Sequence, residues 1–133
     1  MNPLVLVADD DADNRAVAAA ALTAAGFRVA LAKDGAAALS LAEAERPDLV
    51  LMDMGMPVLD GWETTRRFKA SPLLGGVPVL AFTAFALAGD AEKAALAGCD
   101  GVLDKPCAPA RLVAEVRKII EARSAHGEAD SRP

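Results

Sequence analysis

Three carboxylates, one hydroxyl and one ammonium group each follow a short apolar run of this sequence. They belong to Asp9 and Asp10 after the first run, Asp53 after the third, Thr83 after the fourth and Lys105 after the fifth. Three carboxylates held close together raise one another's pKa values unless a cation joins them. Lys105 offsets one charge, and Mg²⁺, which prefers carboxylate and carbonyl oxygens, could offset the others. These residue types therefore indicate a metal-assisted site, provided that the fold brings them together.

The same groups are suited to phosphoryl transfer. A carboxylate beside Mg²⁺ can attack a phosphorus atom in line, while the metal, the ammonium and the hydroxyl stabilise the equatorial oxygens. Structural roles compete with this interpretation, because Asp9 to Asp11 could cap a helix, Thr83 could lie in a turn and Lys105 could be solvated. Asp60, which precedes Gly61, is more often a turn residue than a ligand.

The elements that must position these side chains alternate regularly between apolar runs and helical stretches. The predicted strands are residues 4–8, 27–32, 49–52, 77–82 and 101–104, and the predicted helices are 12–25, 35–45, one ending near 70, 89–97 and 111–123. Nearly continuous apolar strands separated by helices are typical of a parallel sheet covered on both faces. We therefore predict a doubly wound α/β fold, whose ligand crevice lies at the carboxyl ends of the strands.

Length and composition exclude several classes of protein. With 133 residues, we expect one domain over residues 3–122 and a disordered polar tail over 124–133. A net charge of −5 argues against binding to nucleic acid or to anionic lipid. No apolar run approaches the roughly 18 residues of a membrane span, and two cysteines do not make a disulfide scaffold. These counts predict a cytoplasmic protein.

The order and spacing of the motifs resemble those of response-regulator receiver domains. The motifs are residues 7–11, residues 51–57 with Asp60 and Gly61, Thr83 with Ala84, and Lys105 with Pro106. They are separated by 43 residues from Asp10 to Asp53, 30 from Asp53 to Thr83 and 22 from Thr83 to Lys105. Each motif alone is a weak signal, but together they are specific. The resemblance covers residues 3–122 and implies a five-stranded parallel sheet of order 2-1-3-4-5, with helices on both faces.

The resemblance also assigns roles to the acidic residues. It implies that Asp53 is the phosphoacceptor and that the cofactor is Mg²⁺. Asp10 would bind the metal directly, Asp9 would act mainly through bound water, and the backbone carbonyl of Gly55 would complete the protein ligands together with Asp53.

The remaining roles concern the conformational change that phosphorylation would trigger. Thr83 would contact the phosphoryl group and shift toward it, and Lys105 would pair with a phosphoryl oxygen, with a cis bond to Pro106. Three residues before Lys105, where this family commonly has Tyr or Phe, the chain has Val102. An aromatic switch is therefore not available at that position. Phe85, two residues after Thr83, offers no polar group to assist hydrolysis.

The resemblance implies a response regulator of two-component signal transduction. Asp53 would take a phosphoryl group from a phosphohistidine of a sensor histidine kinase or a histidine phosphotransfer protein, and the domain, a monomer, would then bind a downstream effector protein. Because the chain ends about ten residues after its last predicted helix, we expect no attached output domain. We expect no enzymatic activity beyond self-phosphorylation and slow self-dephosphorylation.

Three alternatives stay open at this point. A degenerate receiver domain could bind partners without phosphate, which Val102 slightly favours. A small-molecule phosphatase could work through an aspartyl phosphate, although such enzymes generally have a second Asp two residues after the nucleophile, where this chain has Gly55. A flavodoxin-like nucleotide-binding module is disfavoured, because no glycine-rich loop follows the first apolar run.

Overall fold

Strands and helices alternate along the chain in the computed structural model, which describes residues 2–56, 60–83, 89–105 and 107–130. The strands are β1 Leu4–Ala8, β2 Arg28–Ala32, β3 Leu49–Asp53, β4 Val79–Thr83 and β5 Gly101–Asp104. The helices are α1 Ala12–Ala24, α2 Gly35–Glu45, α3 Gly61–Ala70, α4 Asp90–Ala97 and α5 Pro109–Asp130. The predicted alternation of the two kinds of element is therefore confirmed.

The five strands form one parallel sheet in the order β2-β1-β3-β4-β5, as predicted. Its register places Ala8 of β1 beside Met52 of β3, Asp53 beside Phe82 of β4, and Thr83 beside Asp104 of β5. Because all strands run in one direction, their carboxyl ends lie at one edge of the sheet, where the residues following β1, β3, β4 and β5 meet.

Apolar side chains cover both faces of this sheet. One buried cluster includes Met52 and Phe68 and packs under α2 and α3, and the other includes Leu22, Leu51 and Val116 and packs under α1 and α5. Every residue of β1 and β3 is buried, whereas β2 lies at an edge of the sheet and is partly exposed. Burial on both faces accounts for the continuous apolar sequence of the central strands.

Aspartate side chains begin three of the helices. Asp11 accepts hydrogen bonds from the backbone N–H groups of Asp13 and Asn14, at 2.8 and 3.1 Å. Asp34 accepts from Ala37 N at 2.7 Å, and Asp60 accepts from Glu63 N at 2.9 Å. Each bond satisfies a backbone donor that has no partner within its helix. Asp11 is therefore the cap of α1, which leaves Asp9 and Asp10 for another role.

Several boundaries differ from the predicted ones. Strand β4 begins at Val79 rather than at residue 77, because Val77 N donates to Leu74 O in a turn and Pro78 has no N–H to donate. Helix α5 begins at Pro109, since proline is well suited to the first position of a helix.

The end of α5 differs from its predicted end at residue 123. Helix α5 continues to Asp130, so residues 124–130 are helical. The sequence there contains alanine and glutamate, which favour helices, and has no proline before position 133.

None of the helices in the described part of the chain combines the length and the apolar character that a membrane span requires.

Candidate functional site

The carboxylates of Asp9, Asp10 and Asp53 meet at the carboxyl edge of the sheet. One oxygen from each lies within 4.8 Å of the others. Asp9 and Asp53 are only 3% and 6% exposed, whereas Asp10 faces solvent. Two charges are thus held largely out of water, and the third carboxylate lies at the mouth of the site.

Asp9 is held in place by contacts on both its side chain and its backbone. Its Oδ1 accepts a hydrogen bond from Asp11 N at 2.9 Å, and its carbonyl oxygen accepts one from Arg15 Nη1 at 2.6 Å. Burial raises the pKa of the Asp9 carboxyl, and the nearby Asp53 charge raises it further. The Asp11 N–H and the Lys105 ammonium oppose that rise in pKa. Ionised Asp9 is therefore a group that gains from an additional cation.

Lys105 brings a positive charge to the carboxylates of the site. Its Nζ lies 3.0 Å from Asp53 Oδ1 and 3.5 Å from Asp9 Oδ2. Its backbone N–H donates to the carbonyl oxygen of Thr83 at 2.9 Å, and Thr83 is only 4% exposed. The structure therefore brings Asp9, Asp10, Asp53 and Lys105 together by their side chains, and it links Thr83 to Lys105 through the backbone.

The two glycines that follow Asp53 shape the site in different ways. Gly55 N donates to Asp53 Oδ1 at 3.0 Å, and a Cβ atom added at Gly55 would lie 3.7 Å from the same oxygen, so the position is open. A Cβ added at Gly61 would lie 2.5 Å from the backbone oxygen of Asp53 and 2.6 Å from Met54 Cα. The absence of a side chain at Gly61 thus lets the first turn of α3 pack directly on the backbone of Asp53.

The three carboxylates fit a divalent cation with oxygen ligands. An octahedral Mg²⁺ holds its ligands at about 2 Å, so oxygens on opposite sides of the ion lie about 4 Å apart. The oxygens of Asp9, Asp10 and Asp53 are already within 4.8 Å of one another. Small side-chain movements would therefore place them around one ion. Such hard donors suit Mg²⁺ better than they suit softer metals.

One neighbour of the Lys105 ammonium has no signal in the sequence. The ring of Phe82 lies under Lys105, with Nζ 5.1 Å from the ring centroid. An apolar pattern identifies Phe82 only as a strand residue, and no sequence signal pairs its ring with a particular cation. Val102, in contrast, lies where predicted, half-buried against the core on the α2 and α3 side. Phe85 and Pro106, to which we also assigned features, lie outside the described residues.

Comparisons with known proteins give one consistent result. A family model described as the response regulator receiver domain matches residues 5–117. The polar-differentiation response regulator DivK of Brucella anthropi is 33% identical over 116 residues, which are 87% of this chain and 94% of that protein. The receiver domain of a sensor histidine kinase from Pseudomonas aeruginosa, whose structure has a magnesium ion coordinated in the active site cleft, is 38% identical, with a TM-score of 0.80 and coverage of 92% and 97%. The chemotaxis response regulator CheY4 of Vibrio cholerae is 28% identical, with a TM-score of 0.85 and coverage of 90% and 99%.

Proposed function

This chain belongs to the response regulator receiver domain family, and we propose that its activity is to accept a phosphoryl group on Asp53. The observation that carries the proposal is the pair of donors on one oxygen of Asp53. Lys105 Nζ and Gly55 N each lie 3.0 Å from Oδ1. These contacts orient the carboxylate and leave Oδ2 as the nucleophile.

The proposed reaction is an in-line displacement on a phosphohistidine. Asp53 Oδ2 forms a bond to phosphorus as the bond between phosphorus and the imidazole nitrogen breaks, and the imidazole leaves with the electron pair and takes up a proton. Lys105 is placed to stabilise the negative charge of the transferring oxygens, because its ammonium already contacts the same carboxylate. Thr83 lies at the end of β4, and we propose that its hydroxyl contacts the phosphoryl group.

Asp9, Asp10, Asp53 and the backbone carbonyl of Gly55 are the groups that we assign to Mg²⁺. When bound, the ion would neutralise charge on the phosphoryl oxygens. Asp10 is the exposed member of the cluster, which suits a ligand that a metal reaches from solvent. Burial raises the pKa of the Asp9 carboxyl, so a nearby cation would stabilise its ionised form. This supports the choice of site.

Signalling requires that the phosphoryl group change a surface. Receiver domains interact with histidine kinases and effectors, so we propose a sensor histidine kinase or a histidine phosphotransfer protein as donor and an effector protein as target. The effector surface that we assign consists of α4, β5 and α5. Val102 is stiff at χ1 and too short to swing as an aromatic ring would. We therefore assign the coupling to the backbone from Thr83 to Gly89, of which residues 84–88 lie outside the described residues. We expect some effector binding before phosphorylation.

A small phosphodonor tests the acceptor directly. The wild-type protein should gain the mass of one phosphoryl group when incubated with phosphoramidate and Mg²⁺, and a chelator should suppress the gain. Asp53→Asn should stay unmodified, whereas Asp13→Asn, an exposed aspartate in the first turn of α1, should react like wild type. An unmodified wild-type protein would contradict the proposal and favour a phosphate-independent binding module. Continuous turnover of a small phosphate ester would favour a phosphatase.

A further inference from the structure

Lys105 needs something to hold its ammonium in place, because its side chain is long and flexible. Lysine carries three rotatable donors on a four-carbon stem, and ordering that stem costs conformational entropy. Two of its contacts are the carboxylates of Asp53 and Asp9. Under the proposed function, both carboxylates would change their partners, since Asp53 takes up the phosphoryl group and Asp9 would help to hold the metal. A contact that the reaction leaves unchanged would keep the ammonium in position.

The ring of Phe82 provides such a contact. Phe82 stands beside Asp53 on β3 and beside Leu103 on β5 in the register of the sheet. In a parallel register, paired residues point to the same face, so the ring and the Asp53 carboxylate lie on the same side of the sheet. The ring is half-buried and packs against the cluster under α1 and α5. Packing against that cluster restrains the ring beside the site.

The geometry of the ammonium fits attraction by the face of the ring. Lys105 Nζ lies 5.1 Å from the Phe82 centroid, inside the distance of about 6 Å at which an aromatic ring attracts a cation. The Lys105 side chain is only 21% exposed, which limits competition from water. Phe82 and Lys105 also line one groove with Asn14 and Leu112.

We propose that Phe82 is a positioning residue for phosphoryl transfer, whose ring holds the Lys105 ammonium beside Asp53 while the charges of the carboxylates change. This inference rests on the proposed function, in which Lys105 stabilises the transferring oxygens. Phe82 is not among the groups assigned to the metal or to the phosphoryl group, and it would act only through Lys105. Its contribution should therefore appear in the rate of phosphoryl transfer and should disappear when Lys105 is removed.

A double-mutant cycle measures this dependence. Phe82→Leu keeps an apolar side chain but removes the ring, and we expect phosphorylation by phosphoramidate at saturating Mg²⁺ to slow by about 5- to 30-fold. Phe82→Tyr keeps the ring and should react within about twofold of wild type, by the same reasoning. In a Lys105→Met background, which is slow itself, Phe82→Leu should cause no further loss. A loss of equal size in that background would show a merely structural role and would overturn the proposal.

A matched variant and a spectroscopic readout complete the test. Phe27→Leu makes the same change under another cation, Arg117, which lies 5.6 Å from the Phe27 ring near the start of β2. It should leave the phosphorylation rate unchanged. The NMR signal of the Lys105 ε-methylene protons should carry a ring-current shift in wild type that Phe82→Leu abolishes. Absence of that shift in wild type would overturn the inference even if Asp53 is phosphorylated. A shift present in a wild-type protein that takes up no phosphoryl group would instead refute the proposed function.

Discussion

Replacing Gly61 with alanine should disturb the phosphoacceptor through the backbone that carries it. The added Cβ would lie 2.5 Å from the Asp53 carbonyl oxygen and 2.6 Å from both Cα and Sδ of Met54. Real Cβ atoms do not approach other heavy atoms closer than about 3.0 Å. Two of these three neighbours are backbone atoms of the central strand and its extension, so they cannot yield as a flexible side chain would. Helix α3 must instead move away from β3 by about half an ångström or more.

The expected loss of stability follows from that displacement. Overpacking of this kind lowers the free energy of unfolding by about 1–3 kcal/mol. The better helix propensity of alanine offsets at most about 1 kcal/mol of that loss. We therefore expect the free energy of unfolding to fall by about 1–2 kcal/mol. For a slope of about 1–3 kcal/mol per molar urea, the midpoint of a urea titration followed by far-UV circular dichroism should fall by about 0.3–2 M. Phosphorylation should slow as well, because the Asp53 backbone is displaced.

A second glycine provides the control for this experiment. No heavy atom lies within 4 Å of a Cβ added at Gly76, and its φ angle is outside the left-handed region. Gly76→Ala should therefore keep the wild-type midpoint or raise it slightly, since alanine lowers the entropy of the unfolded chain. An unchanged midpoint in Gly61→Ala would refute the close approach of α3 to Asp53. An equal fall in both variants would show that the cost does not arise from that contact.

Four further predictions concern the charged groups of the site. In metal-free protein, Asp53→Asn should raise the free energy of unfolding by about 1 kcal/mol, as measured by urea titration. The substitution removes a buried charge, while Lys105 keeps Asp9 as a partner. The raised pKa of Asp9 means that the folded state holds its proton more tightly than the unfolded state, so wild type loses stability as the pH rises above the ordinary value of 3.8. Asp9→Asn should lack that loss and should exceed wild type in stability near neutral pH, with no such advantage below pH 3.8; an equal gain at both pH values would contradict this. Asp10→Ala should lose Mg²⁺ binding in calorimetry and phosphorylation together, and retention of either one alone would separate the two roles. Beryllofluoride, a phosphate mimic, should change NMR chemical shifts from Thr83 to Lys105, and changes confined to α1 and α2 would contradict the proposed route of coupling.

The sequence was sufficient to predict the sheet and the side chains gathered at its edge. Apolar runs reveal strands buried on both faces, and a parallel sheet necessarily brings the ends of its strands to one edge. The positions of Asp9, Asp53 and Lys105 at that edge follow from these two facts alone. Their spacing to Asp10 and Thr83 then distinguishes the set from isolated strand-end residues.

The features that escaped prediction depend on distances between elements rather than on patterns within them. Gly61 looks like a turn residue in the sequence, and its role appears only because α3 crosses the backbone of Asp53 closely. Phe82 reads as an apolar strand residue, and its contact with Lys105 depends on the rotamer of a side chain that is distant in sequence. Helix α5 continues beyond its predicted end at residue 123, through a polar stretch that has no apolar periodicity but whose alanines and glutamate favour a helix.

Chemical trapping of the phosphorylated residue tests the assignment of Asp53 most directly. Borohydride reduces an aspartyl phosphate to homoserine, so peptide sequencing by mass spectrometry after phosphorylation with phosphoramidate and Mg²⁺ identifies the acceptor. We predict homoserine at position 53, in protein that received both phosphodonor and Mg²⁺, and an intact aspartate when the metal is chelated. Homoserine at position 9 or 10 instead, or intact aspartate at all three positions in phosphodonor-treated protein, would contradict the assignment.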